Sequence, residues 1–406
     1  MSASAPVTVM TPLERRASAS LAAIFALRML GLFLVLPVFA LEAARLPGGD
    51  DPARVGLALG IYGLTQALLQ MPFGMASDRW GRKRVIVAGL AVFVLGSLVA
   101  AAATTLGMLT LGRALQGAGA VSAAVTALLA DQTRDEVRTK AMALVGASIG
   151  LMFALSLVLA PWLTALVGLS GLFVVIASLA LLGMATVIWV VPPEPALHAP
   201  AERGHWSEVL RHPALLRMDF GVFVLHSVQM AMWVAVPGLL VQAGLAKAQH
   251  WWVYLPAVLG SFVVMGGVLF PMERRGRLRG AFLVAIGLIA LVQAALVWLV
   301  VGTPSVLALG ALLFVFFCGF NMLEASQPSL VSRLAPASLR GSALGVYNTL
   351  QSLGLFAGGL AGGALLKHLG AGPLFAVCGL ACLAWLIVAW PMQAPGRGAV
   401  MPAKDR

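Results

Sequence analysis

Long apolar runs recur along the whole chain, each about the length of a bilayer-crossing helix and separated by short polar stretches. They predict twelve membrane-spanning helices, at 19–41, 54–76, 84–103, 106–130, 140–164, 171–191, 217–241, 250–271, 280–301, 304–330, 341–366 and 371–391. The connections are short, so an all-α bundle with little mass outside the bilayer is expected. One connection differs: Pro192, Pro193, Pro195 and Pro200 lead into His205–Pro213. The prolines oppose helix continuation. The His205–Arg211 stretch, with Trp206, Val209 and Leu210 set against charges, suits a short helix at the membrane surface. The predicted organisation is an N-terminal six-helix bundle over 1–192, a linker over 193–216 and a C-terminal six-helix bundle over 217–406.

Composition agrees, at 60% hydrophobic and 10% charged residues with a mean hydropathy of +0.96, more apolar surface than a soluble core of this length can hide. The net charge of +12 raises the question of nucleic acid, and placement answers it. With the N-terminus inside, 21 of the 27 basic residues fall in cytoplasmic segments and only Arg45, Arg54, Lys247 and Lys367 outside; Arg28 and Arg113 lie within spans. This asymmetry is the positive-inside rule for an even number of spans with both termini in the cytoplasm. No nucleic-acid partner is implied.

Cys318, Cys378 and Cys382 all fall inside spans without His or carboxylate neighbours, so buried packing is expected rather than a metal site. The first apolar run is too long for a signal-peptide core and contains Arg28, which reads as a retained first helix. The two halves also echo each other. Glu273-Arg274-Arg275-Gly276-Arg277 aligns with Asp78-Arg79-Trp80-Gly81-Arg82, and Arg138-x-x-Ala141 with Arg340-x-x-Ala343, at nearly one offset. Duplicated halves related by an axis along the membrane normal follow, an architecture that surrounds a central site and alternates access by rocking.

The loop between spans two and three, Gly74-Met-Ala-Ser-Asp78-Arg79-Trp-Gly81-Arg82-Lys83-Arg84, packs five charges and two glycines into a turn. Its pattern resembles the loop signature of the major facilitator superfamily of transporters. Leu109-Thr-Leu-Gly-Arg113-Ala-Leu-Gln116-Gly117-Ala-Gly119 is similar to the family's fourth-helix motif, whose arginine is associated with proton or substrate coupling. Phe320 to Arg333, Gly341 to Gly354, and the Leu27–Gly31 run with Pro37 resemble the YajR-like branch of drug:proton antiporters. The resemblance implies the family's twelve-helix fold in two pseudo-symmetric bundles, and secondary active transport energised by the proton gradient without a cofactor. Two departures stand out. The fifth-helix antiporter motif is present only as Gly146, Gly150 and Ala160-Pro161-Trp162-Leu163. Members of the branch can also carry a soluble C-terminal domain, whereas about 15 residues follow the last predicted span, so regulation by such a domain is not expected.

In the family, the loop's first acidic residue helps hold the two halves together. Asp78 is expected to face the exposed N–H groups at the start of helix eleven, near Gly341 and Ser342, with Arg82 and Asp131 orienting it as a charge chain. Gly74, Asp78, Arg79, Gly81, Arg82 and Asp131 are thus the candidate conformational switch; Lys83 and Arg84 suit anionic lipid and topology. Polar residues inside spans mark the translocation path, because hydrocarbon tolerates them poorly. Family architecture assigns spans one, four, seven and ten to the cavity, and those supply Arg28, then Arg113 and Gln116, then His226 and Gln229, then Asn321 and Glu324, each pair three apart on one helical face.

Glu324, deepest among the acidic residues, is the first candidate for proton coupling, with Arg28, Arg113 and His226 beside it. Opening of a cavity could switch its charge; a permanent Glu–Arg or Glu–His structural pair is the alternative. Gln116, Gln229, Trp233, Asn321, Asn348 and Gln351 are candidate cavity residues. Gly354, Gly358 and Gly362, with Gly359 and Gly363, give span eleven a smooth face for close helix contact. Gly117-x-Gly119 lies in an apolar helix and is no phosphate loop, and the chain has no Walker motif, paired intramembrane aspartates or H-E-x-x-H, so neither an ATP-driven pump nor an enzyme is expected. The expected function is proton-coupled efflux of small amphipathic or lipophilic compounds by a monomer in the bacterial cytoplasmic membrane, its partners being the lipid bilayer, the small-molecule substrate and protons. The alternative is an importer or uniporter of a small metabolite on the same scaffold.

Overall fold

The computed structural model describes residues 9–194, 206–336 and 339–392, and among them every regular element is a helix. In chain order these are α1 (Pro12–Phe33), α2 (Leu36–Ala43), α3 (Pro52–Trp80), α4 (Arg82–Ala101), α5 (Leu106–Ala118), α6 (Ser122–Asp131), α7 (Asp135–Ala185), α8 (Trp206–Val209), α9 (Pro213–Gln242), α10 (Trp251–Arg274), α11 (Leu278–Leu299), α12 (Val306–Leu334), α13 (Arg340–Leu369) and α14 (Ala371–Ala389). A π-helical turn at Thr186–Val190 extends α7. The four-residue α8 falls in the linker, of which residues 195–205 lie outside the described residues.

All twelve predicted spans coincide with helix, and three departures from regularity have physical causes. The first span breaks into α1 and α2 ahead of Pro37, which has no N–H to donate back to Phe33. The fourth breaks between α5 and α6 at Gly119, whose backbone lies so close to α4 that a Cβ there would sit 2.5 Å from the Gly89 carbonyl. The fifth and sixth run together as α7, 51 residues long. At 1.5 Å per residue such a helix would reach about 77 Å, more than twice the apolar thickness of a bilayer. Gly168, at φ 66°, divides it; that backbone region favours glycine, and two spans result.

Packing defines two units. The first contains the chain up to Leu36, Leu68–Ala103, and the stretch from Met108 to the linker; the second contains Pro37–Ala67, Thr104–Gly107 and the chain beyond the linker. In the first, α1, α4, α6 and α7 meet around Leu21, Phe25, Ile86, Leu90, Val125 and Leu128, all nearly inaccessible. In the second, α13 lies between α9 and the N-terminal half of α3, and glycines make both contacts possible. A Cβ at Gly354, Gly358 or Gly362 would overlap Phe223, Ser227 or Ala231 of α9. A Cβ at Gly359 or Gly363 would overlap the backbone of α3 at Gly56, Gly60 or Pro52. Packing therefore crosses the sequence boundary at the linker: residues 37–67 precede it yet pack with the helices that follow it.

Candidate functional site

In the first unit the charged turn between α3 and α4 is organised by one guanidinium. Gly81, at φ 99°, reverses the chain, which only glycine does without strain. Arg82 then bonds Asp78 four residues back, donates to Ser77 Oγ at 2.8 Å and reaches Asp131 Oδ2 on α6 at 3.1 Å. Gly74 lies on α3 facing Ala123, and Arg79 is exposed. Glu194 completes the turn. Its carboxylate accepts the Arg82 and Lys83 backbone N–H groups at 2.8 and 2.7 Å, capping α4 from more than a hundred residues away. A negative charge at a helix N-terminus is favourable on both hydrogen-bond and dipole grounds. Lys83 Nζ donates to the Val191 carbonyl at 2.7 Å, so the start of the linker is strapped to this turn.

Deeper in the same unit, Arg113 on α5 donates to Gln116 Oε1 at 2.7 Å, and Gln116 Nε2 donates to Ser97 Oγ of α4 at 2.8 Å. Arg113 and Gln116 are both almost fully buried. The Gln116 amide is thereby committed to holding Arg113. Arg28 on α1 donates to Ser122 Oγ on α6 at 2.6 Å.

The second unit brings together His226, Glu324 and Gln351 from three helices. His226 Nδ1 lies 3.0 Å from the Val222 carbonyl one turn back, a contact that places the proton on Nδ1 and leaves Nε2 as acceptor. Gln351 on α13 donates to that Nε2 at 2.8 Å and to Glu324 Oε1 of α12 at 3.3 Å. Glu324 Oε2 stands 3.4 Å from His226 Nε2, so a second proton on the imidazole would turn this contact into an ion pair. Glu324 is half-exposed whereas the His226 side chain is buried. One turn along α12, Gln327 accepts from Tyr347 of α13 at 3.1 Å. Asn321 donates to Ser261 Oγ of α10 at 2.7 Å, and Asn348 is half-buried beside Tyr347. Gln229 and Trp233 line an apolar pocket with Tyr254, Phe316 and Phe317; the Trp233 and Tyr254 rings are 5.2 Å apart, and Phe316 stacks on Phe320, which packs edge-on against His226.

At the end of α3 opposite the charged turn, two ion pairs fasten the second unit. Lys367 of α13 bonds Asp51 at 2.7 Å, and Lys247 bonds Glu42 of α2 at 3.1 Å. The Lys367 ammonium holds the Asp51 carboxyl below its usual range, helped by the Ala53 backbone N–H. Neither pair is legible from spacing, because the partners are hundreds of residues apart.

The profile of the Major Facilitator Superfamily matches residues 21–359. The chain belongs to the major facilitator superfamily. It is 44% identical over 390 residues to the inner membrane transport protein YajR of Escherichia coli strain K12, covering 95% of this chain and 85% of the relative. It is 28% identical to the multidrug resistance protein MdtH of Aeromonas salmonicida strain A449, over 83% of this chain and 84% of that one. The crystal structure of the nucleoside transporter NupG superposes with a TM-score of 0.73 at 14% identity, over 92% of this chain and 99% of that chain, and supports the fold. The protein is a YajR-like secondary transporter of the major facilitator superfamily and a multi-pass membrane protein.

Proposed function

We propose that this major facilitator superfamily transporter exports small amphipathic or lipophilic compounds in exchange for protons across the bacterial cytoplasmic membrane, with both termini in the cytoplasm, as a monomer. The observation that carries the reading is the meeting of Glu324, His226 and Gln351 within apolar helices, where a carboxylate lies 3.4 Å from an imidazole nitrogen. Charges in such surroundings are expensive unless paired, so a group that gains and loses a proton changes which conformation is favoured. Protonated Glu324 releases its hold on the imidazole; ionised Glu324 attracts it. Arg113, set by Gln116, supplies a fixed positive charge, and the pocket around Gln229 and Trp233 offers aromatic surface to lipophilic substrates. The cluster around Arg82, Asp78 and Asp131 is the conformational switch at the cytoplasmic side. Resemblance to relatives named for multidrug resistance supports the substrate class. The incomplete fifth-helix motif around Pro161 favours the second reading, an importer or uniporter of a small metabolite.

Proton release from acidified everted vesicles tests the proposal, on adding a panel of cationic, neutral and anionic lipophilic compounds. Compound-dependent proton flux that is lost in Glu324→Gln is expected. Absence of flux with every compound, from folded protein in the membrane, would overturn proton-coupled export in favour of the second reading.

A further inference from the structure

The switch at Glu324 needs a route by which its proton leaves, and the second unit holds a buried carboxylate that the coupling cluster does not use. Asp219 is the seventh residue of α9 and 5% exposed, and among the described residues its Oδ2 has no hydrogen-bond partner. It sits seven residues before His226, two helical turns and therefore on the same face of α9, about 10 Å along the axis. Two other helices repeat the arrangement: Glu324 and Gln327 are three apart on α12, and Tyr347 and Gln351 four apart on α13. One level contains His226, Glu324 and Gln351. Beyond it, Tyr347 is bonded to Gln327 and lies within electrostatic reach of both Glu324 and Asp219. On the side of α14, the neutral indole of Trp385 packs against Gly221. Tyr347 is thus a titratable group within reach of Asp219 on α13, Cys382 is the buried thiol one turn from Trp385 on α14, and Arg217 is the nearest charge in sequence on α9 itself.

An unpartnered carboxylate oxygen in an apolar interior is costly as a permanent charge and suits a group that passes a proton on. We propose that Asp219 is a proton relay between Glu324 and the cytoplasm, with Tyr347 as the intermediate hydroxyl; this rests on the coupling role of Glu324 proposed above. The protonated Glu324 carboxyl gives its proton to the Tyr347 oxygen. The Tyr347 hydroxyl, turning from Gln327, gives its own proton to the Asp219 carboxylate. Asp219 then releases that proton to water at the linker end of α9. Each step breaks one O–H bond and forms another, and the net change is one proton moved from Glu324 to the cytoplasmic side. Asp219 carries the proton that Glu324 gives up and makes no contact with the transported compound.

Time-resolved infrared spectroscopy of the full chain in lipid nanodiscs, after a pH jump and with no substrate present, reads the protonated carboxyl stretch directly. Glu324→Gln assigns the Glu324 band. Asp219→Asn is expected to remove a second carboxyl band and to slow the protonation change of Glu324 at least tenfold. Asp219→Glu should restore the rate, and Tyr347→Phe should slow it while keeping the Asp219 band. Loss of the Asp219 band with an unchanged Glu324 rate would mark a structural acid and overturn the relay. No change in either, or a Glu324 that does not titrate, would overturn it too. Because no transported compound enters this measurement, an empty result from the vesicle panel leaves its outcome readable.

Discussion

Gly359→Ala examines how the second unit is closed. A Cβ at Gly359 would stand 2.6 Å from the Gly56 carbonyl oxygen and 2.9 Å from the Gly60 Cα. Ordinary contact begins at about 3.4 Å, so the overlap approaches ~0.8 Å, and both obstructing atoms are backbone that cannot rotate aside. The α3 and α13 helices must separate by a similar distance. Overpacking of this kind costs about 1–3 kcal/mol, and alanine's better helix propensity does not offset it here because α13 is helical whether or not it touches α3. The full cost falls on the state in which these helices touch, shifting its population roughly 5- to 150-fold against any state in which they part. Gly345 of the same helix is the control, since a Cβ there meets nothing within 4 Å. Spin labels at Asp50 and Leu369, both exposed, report the separation by pulsed electron resonance. Gly359→Ala should broaden the distribution toward longer distances and Gly345→Ala should not. Identical distributions in both variants would refute the claim that backbone contact at the glycines sets this closure.

Two further outcomes follow. Gln116→Ala and Arg113→Ala should each reduce compound-linked proton flux, and the double variant should lose little beyond the worse single one, because Gln116 acts by holding Arg113. The Asp51–Lys367 pair depends on pH in one direction: Asp51 titrates below its unfolded value, so its contribution is fully present above about pH 4 and lost as pH falls through the lower folded value. The label distance should therefore stay constant between pH 5 and 8, while Asp51→Asn should lengthen it throughout that range.

Much of the architecture is readable from the chain because a bilayer enforces a simple rule: backbone polar groups must be satisfied within each apolar segment, so run length predicts helix. The local polar groupings are readable too. Arg113 and Gln116 meet because residues three apart share a face, and Arg82 reaches Asp78 because they are four apart. Glu194 was hidden by its place in a proline-rich stretch more than a hundred residues from the helix start it caps, where no local signal pairs the two. Ser97 and Ser122 are ordinary small residues in apolar helices until a partner is found for Arg113's amide neighbour or for Arg28. Asp219 falls at the edge of the predicted seventh span, where a carboxylate draws no notice; burial alone distinguishes it. The stripe Gly354, Gly358 and Gly362 suggested one smooth face, and Gly359 and Gly363 open a second one toward α3, which needs the third dimension to see.

The energetics of these contacts bear on how a proton can control them. Glycine-to-glycine approach between α3 and α13 exposes little side chain when it parts, so little apolar stabilisation is lost on separation. What biases the closed arrangement is then the small set of pairs at its end, Asp51–Lys367 and Glu42–Lys247, each partly exposed and so only weakly stabilising. Against a bias of that size, the change in one carboxyl suffices, since each unit of pKa difference between two conformations is 1.36 kcal/mol, about tenfold in population. A tightly interdigitated core at the same position would need several such protonations. Under the coupling role proposed for Glu324, weak latches and glycine contacts are the condition under which a single group can drive the cycle, and strengthening the latch should then slow transport.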